Sequence, residues 1–259
     1  MIESLDRATR ILDLFSSDIP EWTVSEVSRA LGLPKTTAWE HLKSMVELGL
    51  LRKSGAANYR LGWRSFQLGL RARATSEIAR PARAELQLLA ERFGETAQLV
   101  SRYGTEVVYL EKVVIQSGVR SSLTRVGERL PSTCTAGGKA LLAHLASPQL
   151  DELFPGPGLP QMTEKSLDTV EKLARDLELV RRRGYAVDHE ETLEGMCCVA
   201  AVIRNRQGDA TWALTLSFLE YKFDQHAAEY AQALIEASER LSHPPLPELE
   251  ERSVRKTGN

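Results

Sequence analysis

The stretch that most constrains this chain runs from Thr23 to Leu51, TVSEVSRALGLPKTTAWEHLKSMVELGLL. It predicts two short helices joined by a tight turn. Thr23 can cap the first helix while Glu26, three residues on, reaches back to the Thr23 backbone in a capping box. Val24, Val27 and Leu31 follow at helical spacing, and Gly32 suits the left-handed position that ends such a helix. Pro34 can open the second helix, where its missing N–H would have no partner anyway. Ala38, Leu42, Met45 and Val46 form that helix's buried face, while Thr36, Trp39, Glu40 and Lys43 lie opposite and Lys35 sits at the rim. One side held by a partner helix and the other left free is what a recognition helix needs to enter a major groove.

The next residues strengthen that reading. Leu50 to Lys53 predicts a strand, Ser54 to Asn58 a turn containing Gly55, and Tyr59 to Gly62 a returning strand. A hairpin directly after a recognition helix is the wing of a winged helix. The candidate DNA contacts are therefore Lys35, Thr36, Thr37, Trp39, Glu40 and Lys43 toward the bases and flanking backbone. Arg52, Lys53 and Arg60 on the wing would meet phosphates. A small helical domain whose basic residues are only solvated is the plainer alternative.

Charge supports the first reading weakly. The formal net charge is −2, but residues 1–76 hold 11 Lys+Arg against 8 Asp+Glu, and residues 77–259 hold 22 against 27. A mildly basic first part and an acidic remainder fit a polyanion-binding module joined to something that does not touch nucleic acid. The three cysteines, Cys134, Cys197 and Cys198, are too few and too clustered for a disulfide framework and point to a reducing compartment. The N-terminal MIESLDRATRILDLF carries acids on an amphipathic period, unlike a secretory signal, and no apolar run approaches a membrane span. The expected location is the cytoplasm, with no membrane partner and no cofactor.

Along the chain, Ser4 to Phe15 predicts a first helix with Leu5, Ala8, Leu12 and Phe15 on one face. Trp63 to about Ser76 predicts another, a connector between domains and a place for two chains to meet. Pro81 then starts a helix that turns Leu86, Leu89, Ala90 and Phe93 inward. From Thr96 the period changes. Thr96 to Arg102 and Glu106 to Val114 predict a hairpin, and Val119 to Arg125 a third strand. Thr135 to Leu145 reads as a helix opening on Gly137-Gly138, and Leu167 to Arg183 as an amphipathic helix closed by Gly184. Tyr185–Asp188, Met196–Ile203 and Thr211–Phe218 are three more strands, and Asp224 to Leu241 is the closing helix. Antiparallel strands with flanking helices make the fold class α+β, in two domains.

The stretches SLDRATRILDLF, the LPKTT turn, NYRLG, LPSTCTAGGKALLA and RRRGYAVDHEETLEGMCCVAAVIRN, in this order, resemble the isocitrate lyase regulator (IclR) family of bacterial transcription factors over nearly the whole length. The resemblance implies a winged helix-turn-helix over residues 1–62, a linker helix over 63–80 and a GAF-like effector-binding domain over 81–243, and the prolines and charges of residues 244–259 predict a flexible tail. It also implies a repressor or activator that binds a double-stranded operator as a homodimer, or as a pair of dimers. One position departs from the family, which usually carries arginine where this chain has Glu40. A carboxylate there would repel phosphates, yet it can accept from cytosine N4, or pair on the surface with Lys43. Trp39 beside it suits a thymine methyl group or packing against the wing.

The sensing site has its own physical reading. Thr135, Ala136 and Gly137 start a helix, where free backbone N–H groups favour an anion such as a carboxylate. Thr215 and Ser217 are two apart on a strand, so their hydroxyls share a face, whereas only one of Cys197 and Cys198 can point to that pocket. The resemblance implies effector contact at Ala136, Gly137, Asp188, Cys198, Thr215 and Ser217, with Val119 and Ser122 in the pocket wall. Each has a plainer alternative: glycines for close helix–sheet packing, a buried free cysteine, hydroxyls serving neighbouring backbone. Asp188 would repel a carboxylate ligand unless it is protonated or receives a ligand hydroxyl. That points to a hydroxylated or keto acid, or to an aromatic acid bearing a phenol.

Three rivals stand beside this. Cys134, His144 and His189 could form a thiol nucleophile and base, although no characteristic spacing surrounds them. Cys197, Cys198, His189, Glu190 and Glu191 are zinc-ligand types, although adjacent cysteines on a strand face opposite ways. A purely architectural DNA binder would leave the second domain without a role.

Overall fold

The computed structural model describes residues 2–115 and 124–242. The strand expected at Val119–Arg125 lies mostly outside those residues, as do the wall positions Val119 and Ser122 and the tail over 244–259. The described chain forms two compact units that divide between Glu77 and Ile78.

In the first unit, Glu3–Leu12 (α1), Val24–Leu31 (α2) and Lys35–Glu47 (α3) pack around Ile11, Val27, Ala38, Leu42 and Met45. The capping box forms as its residue types require. Thr23 Oγ1 accepts from the Glu26 amide, Glu26 accepts from the Thr23 amide, and Gly32 closes α2 at φ 65°. In α1, Leu5 is 63% exposed and Ile11 fully buried, because the packed cluster begins at Ala8 and the first turn lies outside it. Leu51–Ser54 (β2) and Asn58–Leu61 (β3) make the wing, and β3 also pairs with Trp22–Thr23 (β1). Gly55 turns the hairpin at φ 69°. Trp63–Ala74 (α4) follows and has no buried residue.

The second unit begins with Ala79–Phe93 (α5), whose Ala82, Leu86, Leu89 and Ala90 are buried. Its sheet contains Thr96–Tyr103 (β4), Glu106–Val113 (β5), Arg129–Pro131 (β6), Ala186–His189 (β7), Met196–Arg204 (β8) and Ala210–Leu219 (β9). These pair antiparallel in the order β6-β5-β4-β9-β8-β7. Strand β6 and the short helix Ser147–Leu153 (α7) were not expected from the pattern; both are too short to show a period.

Alternation along the strands divides this unit into two cores. Cys197, Val199, Ala201 and Ile203 of β8, with Leu214, Leu216 and Phe218 of β9, pack under α5 and Phe223–Ser242 (α9). Cys198, Ala200 and Val202 face the other way, toward Ala136–Leu142 (α6) and Val170–Arg183 (α8). Every residue of α6 is buried, so this helix lies flush against the sheet. Gly138 lets the helix close against the segment that leads into it: a Cβ there would stand 2.2 Å from the Ser132 carbonyl oxygen. At Gly137 a Cβ would meet side chains instead, 2.5 Å from Val100 Cγ2 and 3.1 Å from Thr215 Cγ2.

Gly138→Ala should therefore cost about 2–4 kcal/mol of stability in urea unfolding of the full chain, because backbone must move to admit the methyl group. Gly137→Ala, facing side chains that can shift, should cost less. Equal stability of both variants with the wild type would contradict this packing.

Candidate functional site

Helix α3 presents Lys35, Thr36, Trp39, Glu40 and Lys43 on its exposed side, with Thr37 partly covered. Trp39 is 48% exposed and carries the Lys43 ammonium 5.3 Å over its ring. Lys43 also lies 3.9 Å from Glu47, so the surface pair with Glu40 is replaced by one a turn further on. Trp39, Lys43, Val46 and Glu47 line a groove with Lys53 and Tyr59 of the wing, which gives Trp39 both an exposed edge and a packed one.

The wing is anchored by Glu21, a residue outside the expected contact set. Glu21 accepts from Ser54 Oγ at 2.9 Å and from Asn58 Nδ2 at 2.8 Å, and those bonds hold its carboxyl below the usual range. Arg60 Nε lies 3.4 Å from Glu21, so this arginine braces the wing base in the free protein. Arg52 and Lys53 are exposed, with Arg52 6.0 Å over the Trp63 ring.

In the second unit, a cavity of about 60 Å³ opens between α6 and the sheet. That is room for a few waters or one small organic molecule. Its lining brings together Thr135, Ala136, Gly137, Asp188, Cys198, Thr215 and Ser217, seven expected residues drawn from separate segments. The lining also includes Thr96, Gln98, Tyr109, Thr124 and Thr192, which sequence reasoning missed. Pleating explains the division: Cys198 faces the cavity while Cys197, its neighbour, packs in the opposite core.

The helix start is set by Thr135, whose Oγ1 accepts from the Gly138 amide at 3.1 Å. Asp188 is 2% exposed, and its Oδ1 accepts from the Glu191 and Thr192 amides at 2.7 and 3.2 Å. Burial pushes the Asp188 carboxyl up, against the pull of those bonds and of Lys139. Burial likewise pushes up the Cys198 thiol and the Tyr109 phenol, so both stay protonated at neutral pH. No Lys or Arg lines the cavity among the described residues.

Behind the cavity, Lys139 of α6 is 1% exposed and reaches Glu191 at 2.5 Å and Asp176 of α8 at 3.0 Å. Burial pushes the Glu191 carboxyl up to about 7 despite the ammonium beside it. Glu191 is thus a structural partner of Lys139, remote in role from the zinc set in which its residue type placed it. The potential metal-holding group among the described residues is instead His189, Glu190 and Glu220, with ligand atoms within 4.8 Å of one another. It is occupied in part by Lys165, whose Nζ lies 2.6 Å from Glu190 Oε1.

The thiol–base constellation does not assemble. Cys134 donates to the Pro160 carbonyl at 3.2 Å, and burial raises its pKa. His144 lies 3.3 Å from Arg204 Nη2, and His189 stacks on Phe223 at 4.3 Å. No described helix is long and apolar enough to cross a membrane.

Both units have counterparts among known proteins. Residues 71–243 match the family described as bacterial transcriptional regulator IclR C-terminal, and residues 4–55 match the IclR helix-turn-helix domain. The chain is 33% identical over 246 residues to the HTH-type transcriptional regulator XynR of Escherichia coli (strain K12), covering 93% of this chain and 96% of that protein. The crystal structure of an IclR transcriptional regulator from Alicyclobacillus acidocaldarius is similar at a TM-score of 0.82 and 28% identity, over 93% of this chain and 98% of that one. Also similar is an IclR homologue from Microbacterium hydrocarbonoxydans crystallised with 4-hydroxybenzoate, at a TM-score of 0.77 and 28% identity, over 92% and 97% of the two chains. With both domains matched in order, this chain belongs to the IclR family of bacterial transcriptional regulators.

Proposed function

We propose that this regulator binds a near-palindromic operator as a homodimer and that a small organic acid, held between α6 and the sheet, alters that binding. The observation that carries the reading is the convergence of Thr135, Ala136, Gly137, Asp188, Cys198, Thr215 and Ser217 on one cavity. The first amides of a helix have no partner within it, so Ala136 and Gly137 suit a carboxylate. A hydroxyl on the same ligand would suit Asp188. The 4-hydroxybenzoate bound to the Microbacterium hydrocarbonoxydans homologue has both groups and serves as the first probe.

On the DNA side, α3 would enter the major groove with Lys35, Thr36, Thr37, Trp39, Glu40 and Lys43 toward bases and flanking backbone. Arg52 and Lys53 would meet phosphates, joined by Arg60 if it leaves Glu21. Residues 63–80 would form the connector between a DNA-binding domain over 1–62 and an effector domain over 81–243. Helix α4 displays Trp63, Phe66, Leu68 and Leu70, each between 48% and 72% exposed, and a second copy of the chain is the partner proposed for it. A cytoplasmic site of action follows from the DNA target. The ligand can shift operator binding only by its different affinity for the two arrangements of the dimer.

Fluorescence anisotropy on the native promoter fragment tests the DNA half. Lys35→Ala and Lys43→Ala should each weaken binding by about 1–3 kcal/mol, and affinity should fall steeply with salt. Unchanged affinity in both variants would contradict the placement of α3.

Thermal unfolding tests the effector half. An acid at about a hundredfold over its dissociation constant should add about 2.7 kcal/mol of stability. Ser217→Phe should abolish both that gain and the response of the operator complex while DNA binding persists. Retention of the acid-induced gain in Ser217→Phe would place the ligand elsewhere.

A further inference from the structure

Gln98 lines the cavity, and neither the sequence pattern nor the family match assigns it a role. It lies on β4 opposite Thr215 of β9 and is 3% exposed. Its Oε1 accepts two hydroxyl hydrogens, from Thr215 at 2.7 Å and from Ser217 at 3.0 Å. Its Nε2 donates to Thr124 Oγ1 at 2.8 Å. The Lys112 ammonium, a group that can only donate, approaches the same Thr124 oxygen at 3.2 Å and the Thr124 carbonyl at 2.5 Å.

The direction of these bonds determines what the wall can offer. A serine or threonine hydroxyl has one hydrogen and two lone pairs. Once Gln98 has taken the hydrogens of Thr215 and Ser217, both side chains face the cavity with lone pairs alone. Cys198 Sγ lies 2.9 Å from Ser217 Oγ, and with the serine hydrogen engaged elsewhere, the thiol is the donor of that contact. Both lone pairs of Gln98 Oε1 are taken by those two hydroxyls, so the acceptors left for a ligand are the hydroxyl oxygens themselves, and Asp188 borders the same cavity with its carboxyl. At Thr215 and Ser217 the sheet therefore meets a ligand with acceptors, while the Tyr109 phenol of β5 is a separate donor on the same cavity.

We infer that Gln98 is a specificity-determining residue of the effector site: by orienting the Thr215 and Ser217 hydroxyls it makes the sheet wall accept hydrogen bonds, so the pocket selects hydroxy acids over keto acids. This rests on the proposed acid-binding role of the cavity. A ligand hydroxyl can donate to the wall, whereas a carbonyl in the same place would set oxygen against lone pairs. Sites built around a ligand hydroxyl discriminate strongly, because a mismatched ligand leaves buried polar groups without partners. The choice between hydroxylated and keto acids that sequence left open is thereby made by one amide.

The test uses the full-length protein and isothermal titration calorimetry with two matched pairs, lactate against pyruvate and 4-hydroxybenzoate against 4-formylbenzoate. For whichever pair binds, the wild type should prefer the hydroxyl member by at least about tenfold. Gln98→Met removes both ends of the amide and frees the Thr215 and Ser217 hydrogens to turn toward ligand, so the preference should shrink to about threefold or less. Gln98→Glu keeps an acceptor in place and should keep the preference, which a loss through misfolding would not allow. Equal affinity for both members, a preference for the carbonyl member, or full preference in Gln98→Met would each overturn this inference and leave the acid-binding reading intact. Failure of all four acids to bind the wild type would overturn the acid-binding reading for these classes and this inference with it.

Discussion

The effector domain depends on a buried charge. Lys139 is fully enclosed on α6, a helix too short to persist alone, and an ammonium so placed is tolerable only where carboxylates meet it. Glu191 and Asp176 do so from the loop after β7 and from α8. Three pieces of chain far apart in sequence are thereby fixed around one point. The same loop gives its Glu191 and Thr192 amides to Asp188, whose carboxyl borders the cavity. Asp188 on the cavity and the helix that begins beside it are therefore parts of one connected structure. Removing the ammonium would leave the buried Glu191 carboxyl and the half-buried Asp176 without their counter-charge.

The second constraint is the pleat of the sheet. Residues 214, 216 and 218 of β9 enter one core, and 215 and 217 face the cavity. On β4, Ala97 and Leu99 enter the core while Thr96, Gln98 and Val100 face the cavity. A polar pocket can thus be built into a sheet without loss of its apolar side. Any one-residue slip would bury hydroxyls in the core and turn leucines into the site.

Much of this was legible from the chain itself. The capping box, the left-handed Gly32 and the wing turn are local, with their partners within a few residues, so spacing and residue type sufficed. The shared face of Thr215 and Ser217 followed from the strand period, as did the opposite facing of Cys197 and Cys198. What stayed hidden has long-range causes. Gln98 looks like a polar interruption of an apolar strand, and its meaning lies 117 and 119 residues away. Lys139 reads as an ordinary helix lysine until Glu191, 52 residues on, folds over it. Glu21 looks like a turn acid until Ser54 and Asn58 close upon it. Close helix–sheet packing was an alternative for Gly137 and Gly138, and the two differ: Gly137 faces Val100 and Thr215 of the sheet, whereas Gly138 faces the Ser132 carbonyl before the helix.

A site that senses a metabolite and a helix that reads DNA form one device only if their binding energies are linked. Such linkage is reciprocal by thermodynamic necessity. The most direct measurement is therefore the affinity of the full-length protein for the acid that most raises its melting temperature, taken once free and once saturated with operator duplex. The account predicts that the two dissociation constants differ, and by the same factor as the acid changes operator affinity. Identical acid affinities with and without DNA would contradict it.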